Sequence, residues 1–205
     1  LCHPESDSFN HSIAKAYCDA VRRAGQEVVL RDLYAIGFDP VLKAVEKPGL
    51  GHPHPFRDVA DELEIIRRSD VFVLIYPIWF GSAPAMMKGY VDRVLGAGVA
   101  PAAVKEGAPT SLLGGKQLLT FTTSAMPGIW LAEQGQELSL ITVFNRYLVH
   151  AFGMRGERHV SLGHITDELT PRFAHQHLQD VTAEAQRMCA MLAEDRRVAV
   201  TPIYS

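Results

Sequence analysis

Apolar residues in this chain fall into two kinds of segment that alternate from end to end. Short continuous runs rich in β-branched and aromatic residues, best developed at residues 71–76 (VFVLIY), suit strands buried on both faces. Between them, apolar residues recur three or four apart and mark single helical faces. Ile13, Tyr17, Val21 and Ala24 predict a first helix, with Gly25 placed to end it. Residues 28–30 predict a short strand, and Val59, Leu63 and Ile66 a second helix. After the strand at 71–76, Pro84 suits a helix's first turn, where its missing N–H would have been unpaired, and Met87, Val91 and Val94 mark the face of that helix. Residues 117–122 and 159–162 predict further strands. Val143, Tyr147, Ala151 and Phe152 predict one helical face, and Phe173, His177, Val181, Met188 and Leu192 another. Such alternation implies an α/β fold, a parallel sheet with helices on both faces.

Leu1-Cys2-His3-Pro4 reads as the end of a strand entering a loop, with no strand, Met or signal-like segment before it. The expectation is that the record begins late or that the native start has been removed. Counting a lost first strand, five strands are expected in one domain spanning residues 1–205. Two stretches interrupt the alternation. Residues 32–56 carry four prolines and three glycines and read as a long surface excursion, and residues 96–116 form a second Gly/Ala/Pro-rich loop.

Composition narrows the function classes. A 47% hydrophobic content is ordinary for a globular chain, and no apolar run approaches the ~20 residues that span a bilayer. Net charge is −3 without a Lys/Arg block, which gives no support for nucleic acid or an anionic membrane as partner. Cys2, Cys18 and Cys189 are odd in number, widely spaced and without CxxC. That argues against a disulfide framework or zinc site and is compatible with a reducing cytoplasm.

Three loops follow strands, at residues 3–10, 77–84 and 122–130, and an open parallel sheet brings such loops to one edge. The first, HPESDSFN, offers small polar groups and backbone donors at a helix N-terminus, a natural phosphate seat, with Ser8 or Asn10 available as N-cap. His3 can donate to an anionic oxygen there or simply fill a turn. In the second, Trp79 and Phe80 either cover the end of the core or wall a ligand; the polar loops on either side favour the wall. The third, TTSAMPG, offers hydroxyls and amides. Together they suit a nucleotide-like cofactor whose ring stacks in the cleft.

Other chemistries fit poorly. No GxGxxG follows a strand, and Gly114-Gly115-Lys116 lacks P-loop spacing. A low-molecular-weight tyrosine phosphatase would need Arg where Ser8 follows Cys2. The pairs His52-Pro53-His54 and His175-Gln176-His177 lack the convergent third and fourth ligands of a zinc site, so no metal is expected.

Taken in order, His3 to Asn10, Asp32-Leu33-Tyr34, Pro77-Ile78-Trp79-Phe80-Gly81 with Pro84-Ala85 and Lys88-Gly89, and Thr122-Thr123 resemble the NAD(P)H:quinone oxidoreductase family, of modulator-of-drug-activity and DT-diaphorase type. The resemblance implies a flavodoxin-like three-layer sandwich, tightly bound FAD and two-electron ping-pong transfer from NAD(P)H to a quinone-like acceptor. It implies that His3, Ser8, Phe9 and Asn10 hold the phosphate and ribose portion. Pro77, Ile78, Trp79 and Phe80 would lie along the isoalloxazine, and Thr122, Thr123, Ser124 and Ala125 would meet its pyrimidine end. It further implies a homodimer with the site at its interface. An FMN-dependent azo or nitro reductase and a non-catalytic flavin-binding regulator or electron carrier are the alternatives.

The chain departs from the eukaryotic members at several positions. Ser124-Ala125 replace two glycines, Trp130 stands at a tyrosine position, and the following histidine has no evident counterpart, Gln136 being the nearest candidate. Pro101-Ala102 replace aromatic residues. Trp79 and Trp130 are therefore the candidates nearest the chemistry, and Trp130 can donate a hydrogen bond without exchanging a proton.

Overall fold

A computed structural model describes residues 1–47, 56–97, 99, 101–106 and 112–200. Three parallel strands, β1 (Val71–Pro77), β2 (Gln117–Thr123) and β3 (Gly156–Leu162), lie side by side in the order β1-β2-β3. Their register is unbroken, with Val71 opposite Gln117 and Gln117 opposite Gly156. All three run the same way, so their carboxyl ends form one edge.

The helices are α1 (Phe9–Arg23), α2 (Arg57–Arg67), α3 (Ala85–Tyr90), α4 (Pro101–Glu106), α5 (Gly128–Glu133), α6 (Gln136–Leu140), α7 (Tyr147–Ala151) and α8 (Pro171–Val200). A π-helical turn, Val91–Leu95, continues α3, and another, Ile141–Arg146, joins α6 to α7. Alternation along each strand sends side chains to opposite faces. Leu74, Tyr76 and Leu118 meet Val59, Ile66, Met87, Val94 and Phe144 on one side, while Ile75, Leu119 and Phe121 meet α1 and α8 through Ile13, Tyr17, Val181 and Met188 on the other. The predicted three layers are therefore present.

The predicted five strands are not; among the described residues three form ladders. Leu1 and Cys2 continue the sheet with single bonds on either side, Cys2 N–H to Ile75 O at 2.9 Å and Leu33 N–H to Leu1 O at 3.0 Å. Residues 28–30, expected as a strand, join no strand ladder among the described residues, and Val29 and Leu30 face solvent. β-propensity makes a strand only where a partner strand meets it.

Two helical faces also differ from expectation. The buried stripe of residues 140–152 is Leu140, Phe144, Leu148, Ala151 and Phe152, whereas Val143 and Tyr147 are 74% and 56% exposed. This stretch is apolar nearly all round, so spacing alone does not single out its inner face. On α8, Val181 and Met188 are buried as expected, but Phe173 is exposed, in the first turn beyond the reach of the sheet.

The surface excursion is pinned at its near end. Arg93, 3% exposed, bonds Glu46 through Nε and Nη2, Asp58 and the Asp39 carbonyl through Nη1, and lies 5.3 Å above the Phe38 ring. Gly89 lets Pro40 settle against α3. His52 and His54 lie outside the described residues.

Candidate functional site

The three loops converge at the carboxyl edge and are tied at one residue. Ile78 N–H donates to the Thr123 carbonyl at 2.8 Å, and Asn10 Nδ2 donates to Thr123 Oγ1 at 2.9 Å. Ser124 extends the tie beyond β3, its N–H reaching Leu162 O and its carbonyl accepting from Ile165 N–H. His3 lies 5.9 Å from the Trp79 ring, which brings the first and second loops together at the rim. The structure thus brings the sequence-predicted residues His3, Asn10, Ile78, Trp79 and Thr123 together at this edge.

Ser8 occupies the N-cap of α1, as predicted, with extended backbone, but its side chain does not cap the helix. Its Oγ lies 2.9 Å from His11 Nδ1, and His11 Nε2 lies 2.8 Å from Asp32 Oδ2. Asp32 Oδ1 also accepts the Tyr34 and Ala35 amides. Burial would raise the Asp32 carboxyl, but the bonds from His11 and those amides outweigh it and hold it below its ordinary value. The first turn of α1 carries no acidic side chain, so the positive end of its dipole is not offset by its own sequence. Asn10 is 2% exposed, and its Oδ1 has no protein partner. A buried acceptor without a protein partner can take a hydrogen bond from a ligand hydroxyl.

Trp79 and Ser82 exchange two backbone bonds across Phe80 and Gly81, whose φ values of 51° and 77° describe a tight turn of the primed kind. Positive φ is costly for a bulky residue, and Phe80 is fully exposed. Trp79 is 40% exposed. The turn holds both aromatics at the open edge, and neither is buried in the core. Trp130 stands on α5, 37% exposed, and no hydrogen bond or ring contact joins it to Trp79 among the described residues.

Sequence reasoning missed a polar chain beneath the third loop. Thr122 Oγ1 and Asn145 Nδ2 lie 2.8 Å from Nε2 and Nδ1 of His159. The amide donates to Nδ1, so the neutral ring donates from Nε2 to Thr122. Burial pushes His159 from 6.5 down to about 4. Between those values the unfolded chain binds a proton that the folded chain refuses. Its stabilising contribution is therefore present above pH 6.5 and lost as pH falls toward 4, on the order of 3 kcal/mol. Urea titrations across that window should show the loss, and His159→Gln should flatten it; an unchanged slope would mean that the ring titrates normally.

Among the described residues no group of three potential ligands could hold a metal, and no helix is long and apolar enough to cross a membrane. The three cysteines are free and buried, and burial raises Cys2 to about 11, which leaves it unreactive.

A parallel sheet between two helical layers, with three loops joined at its carboxyl edge, is the architecture of a flavodoxin-like protein. The chain belongs to that family: the family model described as flavodoxin-like fold matches residues 1–188. A Haemophilus influenzae protein named as an uncharacterized NAD(P)H oxidoreductase is 35% identical over 124 residues, 60% of this chain and 61% of that protein. NAD(P)H dehydrogenase [quinone] 1 of Cavia porcellus is 32% identical over 118 residues, 49% of this chain and 42% of its own. The chain thus matches roughly half the length of these relatives. Among solved structures, an NAD(P)H:quinone oxidoreductase from Methanothermobacter marburgensis superposes with a TM-score of 0.78 at 22% identity, over 91% of this chain and 92% of that one.

Proposed function

We propose that this protein is a flavin-dependent NAD(P)H oxidoreductase with a quinone-like acceptor and FAD as its cofactor. The observation that carries the reading is the joined edge itself: an open helix N-terminus, an orphan buried acceptor and exposed aromatics within one tied set of loops. The names of the relatives point the same way.

The residues present fit the cofactor. Amides at the start of α1, with His3 and Ser8, suit its phosphates, and Asn10 Oδ1 suits a hydroxyl of its sugar-like chain. Trp79 offers a flat wall beside Pro77 and Ile78. Thr123, Ser124 and Ala125 offer polar groups where negative charge develops, as fixed donors do in an oxyanion hole. When bound, flavin supplies two-electron hydride chemistry in two half-reactions, first with NAD(P)H and then with the acceptor. The protein positions the reactants. Trp130 can donate a hydrogen bond at the rim, but proton exchange there belongs to solvent. A homodimer with the site at its interface would bury the exposed Ile129, Leu138, Val143 and Tyr147 of α5 to α7.

The purified protein, supplied with FAD or FMN, should show a bound-flavin absorption band and oxidise NAD(P)H faster when benzoquinone is added. No bound flavin with either cofactor would overturn the reading. Acid release and chromatography distinguish FAD from FMN, and flavin binding without NAD(P)H oxidation would indicate a carrier or regulator. Trp79→Ala should weaken flavin affinity about tenfold, ~1.4 kcal/mol, with the melting temperature little changed. Unchanged affinity with a lowered melting temperature would return Trp79 to a packing role.

A further inference from the structure

Among the described residues, six buried side-chain polar atoms have no hydrogen-bond partner in the protein, and five of them lie on one patch of the sheet. They are Tyr76 Oη, Thr120 Oγ1, Asn145 Oδ1, Glu157 Oε2 and Ser161 Oγ. Strand register brings them together. Tyr76, Thr122 and Ser161 form one row across the three strands, and Leu74, Thr120 and His159 form the next row on the same face. This is the face that Leu74, Tyr76 and Leu118 turn toward Phe144. The π-helical turn Ile141–Arg146 covers it: Asn145 reaches His159, and the Phe144 ring meets the Tyr76 ring edge-on at 5.9 Å.

Tyr76, Thr120 and Asn145 are each fully buried. An amide carries its nitrogen and oxygen on opposite sides. With Nδ2 of Asn145 given to His159, Oδ1 points away from that ring and needs a donor. The Tyr76 and Thr120 hydroxyls each carry a hydrogen that needs an acceptor. Native proteins seldom leave several such groups unmet in one layer. Water answers both needs, because it donates to Oδ1 and accepts from a hydroxyl. The polar positions are also the small ones: Thr120, Thr122 and Ser161 stand where the rest of the layer carries Leu, Tyr and Phe.

We propose that this patch is an internal hydration site, in which ordered water joins Asn145 Oδ1 to the hydroxyls of Thr120 and Tyr76. The water fixes the Asn145 amide from its oxygen side. It thereby keeps the nitrogen on His159 and the His159 ring on Thr122, one residue before the node at Thr123. The site is part of the support beneath the third loop. Glu157, whose other oxygen accepts from Arg146, continues the polar patch toward the surface.

A high-resolution crystal structure should show water within ~3.2 Å of Asn145 Oδ1 and of a hydroxyl of Thr120 or Tyr76. Thr120→Val and Tyr76→Phe remove one hydroxyl each with little change of shape, and they separate a hydrated patch from a dry one by sign. In a dry patch each substitution removes an unpaired polar atom and raises the urea midpoint. With water bound, each leaves that water short of a partner and lowers the midpoint. Both variants should therefore lower it, and the double variant should lose less than the two singles summed, because they share the water. No water at Asn145 Oδ1, or a midpoint unchanged or raised in either variant, overturns the inference.

Discussion

Replacing Arg93 with alanine is expected to cost on the order of 3–5 kcal/mol of folding stability, the largest loss among single substitutions considered for this protein. The guanidinium and Glu46 are both nearly buried, whereas Asp58 is about half exposed and contributes less. Removing the cation leaves Glu46 charged in a place that water scarcely reaches, and leaves the Asp39 carbonyl and the Phe38 ring without their partner. The carboxylates around Arg93, Glu46 foremost, hold it charged far above any working pH. The loss should therefore show as a lower urea midpoint. Hydrogen exchange should report it first in residues 38–46, which Arg93 ties to the helix. Pairing Arg93→Met with Glu46→Gln should recover much of the loss, because the double variant buries no unpaired charge. A single variant within ~1 kcal/mol of the parent would mean that Glu46 reaches solvent once Arg93 is gone.

Gly89→Ala sets two effects against each other. Helix propensity alone favours alanine by about 1 kcal/mol. A Cβ at this position, however, would sit closer to the Pro40 carbonyl oxygen, Cα and Cβ than real Cβ atoms approach. Those are backbone or ring atoms of a residue with little freedom to move, so packing outweighs propensity. A net loss of about 2 kcal/mol is expected, or displacement of residues 38–42 from α3. A raised melting temperature would show that the excursion yields at no cost.

Both substitutions test features that sequence reading reached only halfway. Lys88-Gly89 was legible as part of a family pattern, but the reason for glycine lies 49 residues away in Pro40. The strand, aromatic loop and helix of residues 71–95 were readable because a continuous apolar run meets Pro and Gly, and local chemistry decides that outcome. Residues 28–30 read as a short strand, yet they join no ladder among the described residues, because pairing depends on a second segment as well as on propensity. Around Val143 the pattern failed for the opposite reason: too many apolar residues, and hence no unique face. Among the site residues, the loops were legible and the connections were not. His11 and His159 each read as an ordinary helix or strand position. Their roles come from Asp32 and from Asn145 and Thr122, partners 14 to 37 residues distant that no periodicity announces.

Thr123 receives Asn10 on its hydroxyl and Ile78 on its carbonyl. Three loops that occupy separate stretches of sequence consequently share a single node, and they do not vary independently. A change in the first or second loop is transmitted to the other through Thr123, a residue of the third. Single-site effects measured around this edge will therefore not sum to the effect of changing the whole edge.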